Sequence, residues 1–157
     1  MKMERLRITV AHGVSVVLTI SVLSCAVQPC YEDTNPVMNT LLLTSGTGET
    51  AKADSLRIRG VLATDTIEFV DAKAVSAFSV PLDPGSDQSL FYITLNGVYD
   101  TAVIFYTRHP HLVSPECGYP LTSKITGLKT THNLIDTLII ENNNVDLIGE
   151  KNLHLFY

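Results

Sequence analysis

Between Arg108 and Cys117 the chain reads Arg-His-Pro-His-Leu-Val-Ser-Pro-Glu-Cys, which gathers two imidazoles, a carboxylate and a thiol in one short stretch. Imidazole nitrogens and carboxylate oxygens suit zinc, and a zinc-bound water is the usual start of a metal-dependent hydrolase. His109 and His111 fall on one side of an extended segment, and Glu116 is the third candidate ligand. The spacing fits no strong metal motif, and surface histidines on a loop explain the same residues. A second reactive stretch is Val22-Leu23-Ser24-Cys25, at the end of an apolar N-terminal run. The Cys25 thiol is a good nucleophile for taking up a diacylglyceryl group as a thioether. The small Ser24 beside it leaves the peptide bond open to a signal peptidase. Other constellations are missing from the sequence. It has no Gly-x-Ser-x-Gly elbow, and Gly46-Thr47-Gly48 is too short for a phosphate loop and lacks its lysine. No catalytic residue and no cofactor is assigned.

The segment before Cys25 has the anatomy of a secretory signal. Lys2, Arg5 and Arg7 form a basic start, residues 8–23 an apolar core diluted by His12, Gly13, Ser15, Thr19 and Ser21, and Ser24 precedes the cut. The core is too short and mixed for a membrane-spanning helix. Residues 1–24 therefore read as a helical, cleaved lipoprotein signal peptide, 25–36 as lipidated cysteine and tether, and 37–157 as one domain. Cleavage leaves 157 − 24 = 133 residues, enough for a sizeable core. With the leader's three basic residues and one acidic residue removed, 8 basic and 15 acidic side chains give a formal charge of −7. Such a surface repels nucleic acid and anionic headgroups, so attachment to the membrane falls to the acyl chains.

Assigning Cys25 to lipid leaves Cys30 and Cys117 in an oxidising compartment, where they are expected to pair. Two buried free thiols are the alternative. The paired loop holds 117 − 30 + 1 = 88 residues. Five residues from Cys25 to Cys30 reach at most about 18 Å, so the bridge would hold the loop 108–119 at the membrane-proximal end.

Past the tether, apolar and polar residues alternate. Leu56-Arg57-Ile58-Arg59, Thr66-Ile67-Glu68-Phe69 and Ala77-Phe78-Ser79-Val80 carry the period of two that marks half-buried strands. Residues 90–95 and 102–106 are richer in β-branched and aromatic side chains and read as central strands buried on both faces, joined as a hairpin through Asn96-Gly97. Residues 134–140 and 153–157 read as the last two strands. A short helical turn is expected near 71–75, loops at 45–54 and 81–87, and a loop bracketed by Pro110 and Pro115. The fold class is all-β, an antiparallel β-sandwich of immunoglobulin-like size, with a small antiparallel β-barrel as the alternative.

Four triplets share the form Asp, hydroxyl residue, apolar residue. They start at Asp54-Ser55, Asp65-Thr66, Asp100-Thr101 and Asp136-Thr137. Turn chemistry at strand entries accounts for them, since Asp caps turns and Thr favours strands. The triplet also resembles the acceptor motif of the general protein O-glycosylation system of Bacteroidota-type bacteria. That resemblance makes Ser55, Thr66, Thr101 and Thr137 candidate glycosylation sites.

The order of further features resembles an uncharacterised family of Bacteroidota-type envelope lipoproteins, a domain of unknown function. These features are a lipobox with a second cysteine close behind (Cys25, Cys30), the loop Pro81-Leu82-Asp83-Pro84 before Phe91-Tyr92, the element Ser114-Pro115-Glu116-Cys117-Gly118-Tyr119, and Asn133-Leu134-Ile135-Asp136-Thr137. The resemblance implies export and lipidation, supports the pairing of Cys30 with Cys117, and implies no activity. Ala26 after the cysteine, by resemblance to Gram-negative sorting rules, points to the periplasmic face of the outer membrane. Two readings follow. One is a non-enzymatic binding or structural module of the envelope that docks a protein or a glycan. The other is a metal-dependent hydrolase built on the loop 109–117.

Overall fold

Period-two alternation becomes ten strands in this computed structural model, which describes Cys30 and residues 34–62, 65–115 and 117–157. The strands are β1 (Met38–Leu43), β2 (Ala53–Leu62), β3 (Asp65–Val75), β4 (Ala77–Val80), β5 (Gln88–Leu95), β6 (Val98–Pro110), β7 (Leu121–Thr130), β8 (Thr137–Ile140), β9 (Asn144–Val145) and β10 (Lys151–Phe156). They form two sheets, ordered β4-β1-β10-β8 and β3-β2-β5-β6-β7-β9. The larger sheet curls as half a barrel over the smaller one. The all-β sandwich expected from the alternation is therefore what forms. One pair departs from an antiparallel plan, since β1 and β10 run parallel with Thr40 opposite Leu153 and Leu42 opposite Leu155. The long connection that parallel pairing demands is the whole larger sheet, inserted between these two strands.

Inward residues of the two sheets make one core. Met38, Leu42, Val80, Leu153 and Leu155 from the smaller sheet meet Leu56, Ile58, Phe91, Ile93, Ile104, Tyr106 and Ile125 from the larger, all buried. Each such side chain contributes about 2 kcal/mol by leaving water. Gly60 is the one inward position of β2 without a side chain, and the Phe69 ring fills its place. That ring then meets Phe91 edge-on at 6.3 Å. Bulges between Ile58 and Arg59 and between Phe105 and Tyr106 add the twist that curls the sheet.

Two local expectations are corrected. The helical turn near 71–75 is the end of β3, where Ala74 alone turns left-handed (φ 57°) so that the chain can cross at Ser76 into β4 of the other sheet. Strands β5 and β6 are central, as expected, but only their inward faces are fully buried; Leu90, Tyr92, Thr94, Thr101, Val103 and Phe105 on the outward side are half-covered. No second layer lies over that side among the described residues. The Asn96-Gly97 hairpin forms as expected, with both residues at positive φ (50° and 82°), the requirement of a tight right-twisted turn. Among the described residues no helix is long and apolar enough to cross a membrane.

Thr40 is buried at 1% exposure among apolar side chains, and its hydroxyl has no hydrogen-bond partner. An unpaired buried hydroxyl costs about 1–3 kcal/mol, and Val has nearly the same shape and a better strand preference. Thr40→Val should therefore stabilise the domain by about 1 kcal/mol in urea denaturation; a loss of stability would show that the hydroxyl has a partner after all.

Candidate functional site

The loop that carries His109, His111 and Cys117 is an ordered extension of the β6–β7 ladder. His109 pairs with Thr122 and Pro110 with Leu121. Beyond them His111 N–H donates to the Pro120 carbonyl (3.0 Å) and Val113 N–H to Gly118 (3.2 Å). The tip closes where Gly118 N–H donates to Ser114 O (2.8 Å) and Cys117 N–H to Ser114 Oγ (3.1 Å). Gly118 turns left-handed there (φ 71°), which explains the glycine after the cysteine. Cys117 and Cys30 are both disulfide-bonded, so neither is a free thiol.

The short β9 pairs with β7 (Ser123 with Val145, Lys124 with Asn144), which swings the loop 146–149 across the sheet edge. Between this loop and the ladder lies an open cleft of about 320 Å³ lined by His109, His111, Lys124, Asp146 and Ile148, among others. The two histidines thus share one recess, as the alternation implies. His109 Nε2 lies 3.1 Å from Thr107 Oγ1. Among the described residues no three His, Cys, Asp or Glu side chains converge to hold a metal. Glu116 lies outside the described residues, as do Cys25 and the leader. The cleft therefore offers two imidazoles, an ammonium and a carboxylate for hydrogen bonding. His132 and His154 stand elsewhere. His132 Nδ1 donates to the carbonyls of Ile135 (3.1 Å) and Asp136 (2.9 Å), and His154 faces Glu141 at 3.8 Å.

Next to the cleft, the loop 81–87 is fastened to β6. Tyr106 O–H donates to Asp83 O (2.8 Å), the Ser89 hydroxyl bonds the Tyr106 oxygen (2.9 Å), and Asp83 N–H donates to Ser89 Oγ (2.9 Å). Burial pushes the Tyr106 phenol pKa up, so it stays a donor. Arg108 Nε meets Asp87 at 3.0 Å and its second nitrogen donates to Pro84 O at 2.6 Å. A shallow recess beside these residues includes Pro36, Pro84, Arg108 and Leu121, so the chain enters the domain at this same end.

The outward face of the larger sheet is a second candidate surface, and the sequence reading did not assemble it. The register sets Val61, Leu90 and Val103 in one row, Arg59, Tyr92 and Thr101 in the next, and Thr94 opposite Tyr99 in a third. Phe105 stands opposite Gly127, and Val103 opposite Lys129. Tyr92 and Tyr99 stack at 6.0 Å with 29° between their planes. Arg59 lies over the Tyr92 ring at 6.0 Å and Lys129 over Phe105 at 5.4 Å. Neither cation forms an ion pair among the described residues, whereas Arg57 meets Glu68 at 3.4 Å and Asp71 at 3.0 Å.

The four Asp-Ser/Thr triplets separate. Thr66 and Thr137 are exposed on the edge strands β3 and β8, while Ser55 and Thr101 are half-buried on interior strands. The aspartates have local work. Asp65 accepts from Thr66 N–H (2.8 Å), and Asp136 accepts from the Ser45 hydroxyl (2.9 Å). Asp100, 1% exposed, accepts from the Thr131 hydroxyl and from three backbone N–H groups of residues 133–135.

No curated protein and no solved structure matches the chain. Residues 55–157, which hold every strand but β1 and the first two residues of β2, match the family of unknown function DUF6452, and the chain belongs to that family.

Proposed function

We propose that the protein is an exported lipoprotein of the Bacteroidota type, held by an acylated Cys25 on the periplasmic face of the outer membrane, with Cys30 bridged to Cys117. Its β domain acts as a non-enzymatic binding module for an acidic envelope glycan. The outward face of the larger sheet carries this reading. Strand positions that face solvent ordinarily hold polar residues; here they hold two stacked tyrosines, a phenylalanine and a row of Val61, Leu90 and Val103. Flat aromatic surfaces take the C–H faces of sugar rings, and the hydroxyls of Thr94 and Thr101 stand beside them. Arg59 and Lys129, on β2 and β7, lie three strand spacings apart and two residues out of register, about 16 Å, and offer unpaired positive charge on an acidic protein. The alternative, a metal-dependent hydrolase, has the two imidazoles of His109 and His111 along one cleft in its favour.

Binding of purified protein to a polyuronate, with a neutral glucan as control, tests the module. Binding of the acidic polymer alone is expected, weakened about tenfold by Tyr92→Ala or Arg59→Ala at unchanged thermal stability. Equal binding by the variants, or none by the wild type, would sink the glycan reading. Stoichiometric zinc lost on His109→Ala would favour the hydrolase. The anchor is tested by the intact mass of protein from its own membranes, which should start at Cys25 with acyl mass added. Hexose-sized increments, if present, are expected at Thr66 and Thr137 before Ser55 and Thr101, because the first two hydroxyls are exposed.

A further inference from the structure

Among the described residues eight large apolar side chains are exposed, and four of them, Leu112 (49%), Tyr119 (67%), Leu121 (40%) and Ile148 (77%), belong to one end of the domain. Leu112 and Tyr119 are on the 111–120 hairpin, Leu121 pairs with Pro110 at its base, and Ile148 lines the cleft that His109 and His111 also line. The opposite end of β6, at Tyr99, is eleven residues away, roughly 36 Å along the strand. The first described part of the domain enters at this end too, with Pro36 beside Arg108 and Leu121.

We propose that this end of the domain, the 111–120 hairpin tip together with Ile148, rests on the lipid surface. The inference builds on the acylated Cys25 of the preceding section. From Cys25 to Pro36 is 36 − 25 = 11 residues, at most about 40 Å extended, and Pro36 shares a recess with Leu121 at the base of the apolar tip. The Cys30–Cys117 bridge of that reading shortens the step to about 18 Å and attaches it to the tip itself. A tether this short holds the tip at high effective concentration against the bilayer, so a few side chains suffice where a free protein would need a larger patch. The types fit an interface: Tyr119 has an apolar ring with a polar end, and Leu112 and Ile148 are fully apolar. A second copy or a protein partner is the competing occupant of such a tip.

The chain has no Trp, so single-Trp reporters read each end directly. Tyr119→Trp and Ile148→Trp are placed at the tip and Tyr99→Trp at the far end, all at exposed positions that leave the core untouched. Lipidated protein extracted from its membranes is reconstituted into phosphatidylethanolamine–phosphatidylglycerol vesicles with brominated acyl chains. The expected result is a blue shift and at least twofold quenching at Tyr119→Trp and Ile148→Trp, with Tyr99→Trp unchanged. Equal signals at both ends overturn the proposal. So does no quenching at the tip in protein that floats with the vesicles, or a tip blue shift that follows protein concentration without vesicles. Protein whose mass shows no acyl group ends the anchor reading instead. In that case the free Cys25 thiol is coupled to a maleimide lipid to supply the same tether, and the tip reporters decide between quenching, which sustains the docking face, and no quenching, which overturns it.

Discussion

Asp100→Ala is expected to cost about 3–5 kcal/mol. The carboxylate sits near the start of β6 and holds the crossover that leaves β7 for β8, the passage from the larger sheet to the smaller. Its Oδ1 accepts from Thr131 Oγ1 (2.6 Å) and Asn133 N–H (2.8 Å), and its Oδ2 from Leu134 N–H (2.9 Å) and Ile135 N–H (3.1 Å). Alanine strands three backbone donors, one of them on the buried Ile135, whose side chain is 1% exposed in the core. Burial raises the pKa of Asp100, but the Thr131 hydroxyl and the three backbone donors together outweigh it and hold the carboxyl below its ordinary 3.8. A carboxyl with a lowered folded pKa stabilises fully above its unfolded value, and the contribution falls away as pH drops through that value to the folded one. The gap between wild type and Asp100→Ala in chemical denaturation should therefore be full at pH 7 and narrow below about pH 4. Asp100→Asn keeps an acceptor for one pair of donors and should lose less at pH 7, and its gap to the wild type should narrow below about pH 4 in the same way, since the titrating group belongs to the wild type alone. A loss below about 1 kcal/mol for the alanine variant at pH 7 would mean that water replaces the carboxylate, and that the crossover does not depend on it.

Asp100 also shows where the sequence was legible and where it was not. As part of a repeated Asp-hydroxyl-apolar triplet it reads the same as Asp65 or Asp136, and all three lie at or near the start of a strand. What separates it is thirty residues of loop and strand that bring Thr131 and residues 133–135 back to it, a long-range fact with no local signature. The alternating strands around Arg57 and Phe78 were readable because one face of each meets the core, whereas in β3 Phe69 is half-buried and Ile67, which the alternation puts on the same face, is 43% exposed. The hairpin at Asn96-Gly97 was readable because few other residues tolerate its backbone. The parallel pairing of β1 with β10 was not, since alternation says which face is buried and nothing about the neighbour's direction. The outward aromatic face was hidden for the same reason. Tyr92 and Tyr99 are seven residues apart and look like two strand residues until register sets them against each other. The cleft was half readable, through His109 and His111. Its other wall, from Lys124 and the loop 146–149, comes from the two-residue strand β9, too short to carry a pattern.

For the proposed Cys30–Cys117 bridge, reduction is expected to remove about 4–5 kcal/mol, because opening an 88-residue loop releases that much constraint on the unfolded state. Both cysteines are disulfide-bonded, and the identity of the pair sets the magnitude. Bridges from each cysteine to a second copy of the chain would close no loop within one chain and would leave the stability of the domain nearly unchanged. Serine substitutions separate the two. For the long loop, Cys30→Ser and Cys117→Ser each cost the full amount, the double substitution costs no more than either alone, and reductant has no further effect on any of the three. Additive losses, or a loss at only one of the two positions, would exclude the long loop. In the proposed docking the same bridge would set the distance between tip and membrane, so its opening would have a second readout. The tether lengthens from five residues to eleven, from at most about 18 Å to about 40 Å, and bromolipid quenching of the Tyr119→Trp reporter should fall on reduction while the protein stays with the vesicles. Quenching that survives reduction unchanged would mean that the apolar tip holds to the lipid by its own side chains, and that the disulfide serves the stability of the fold alone.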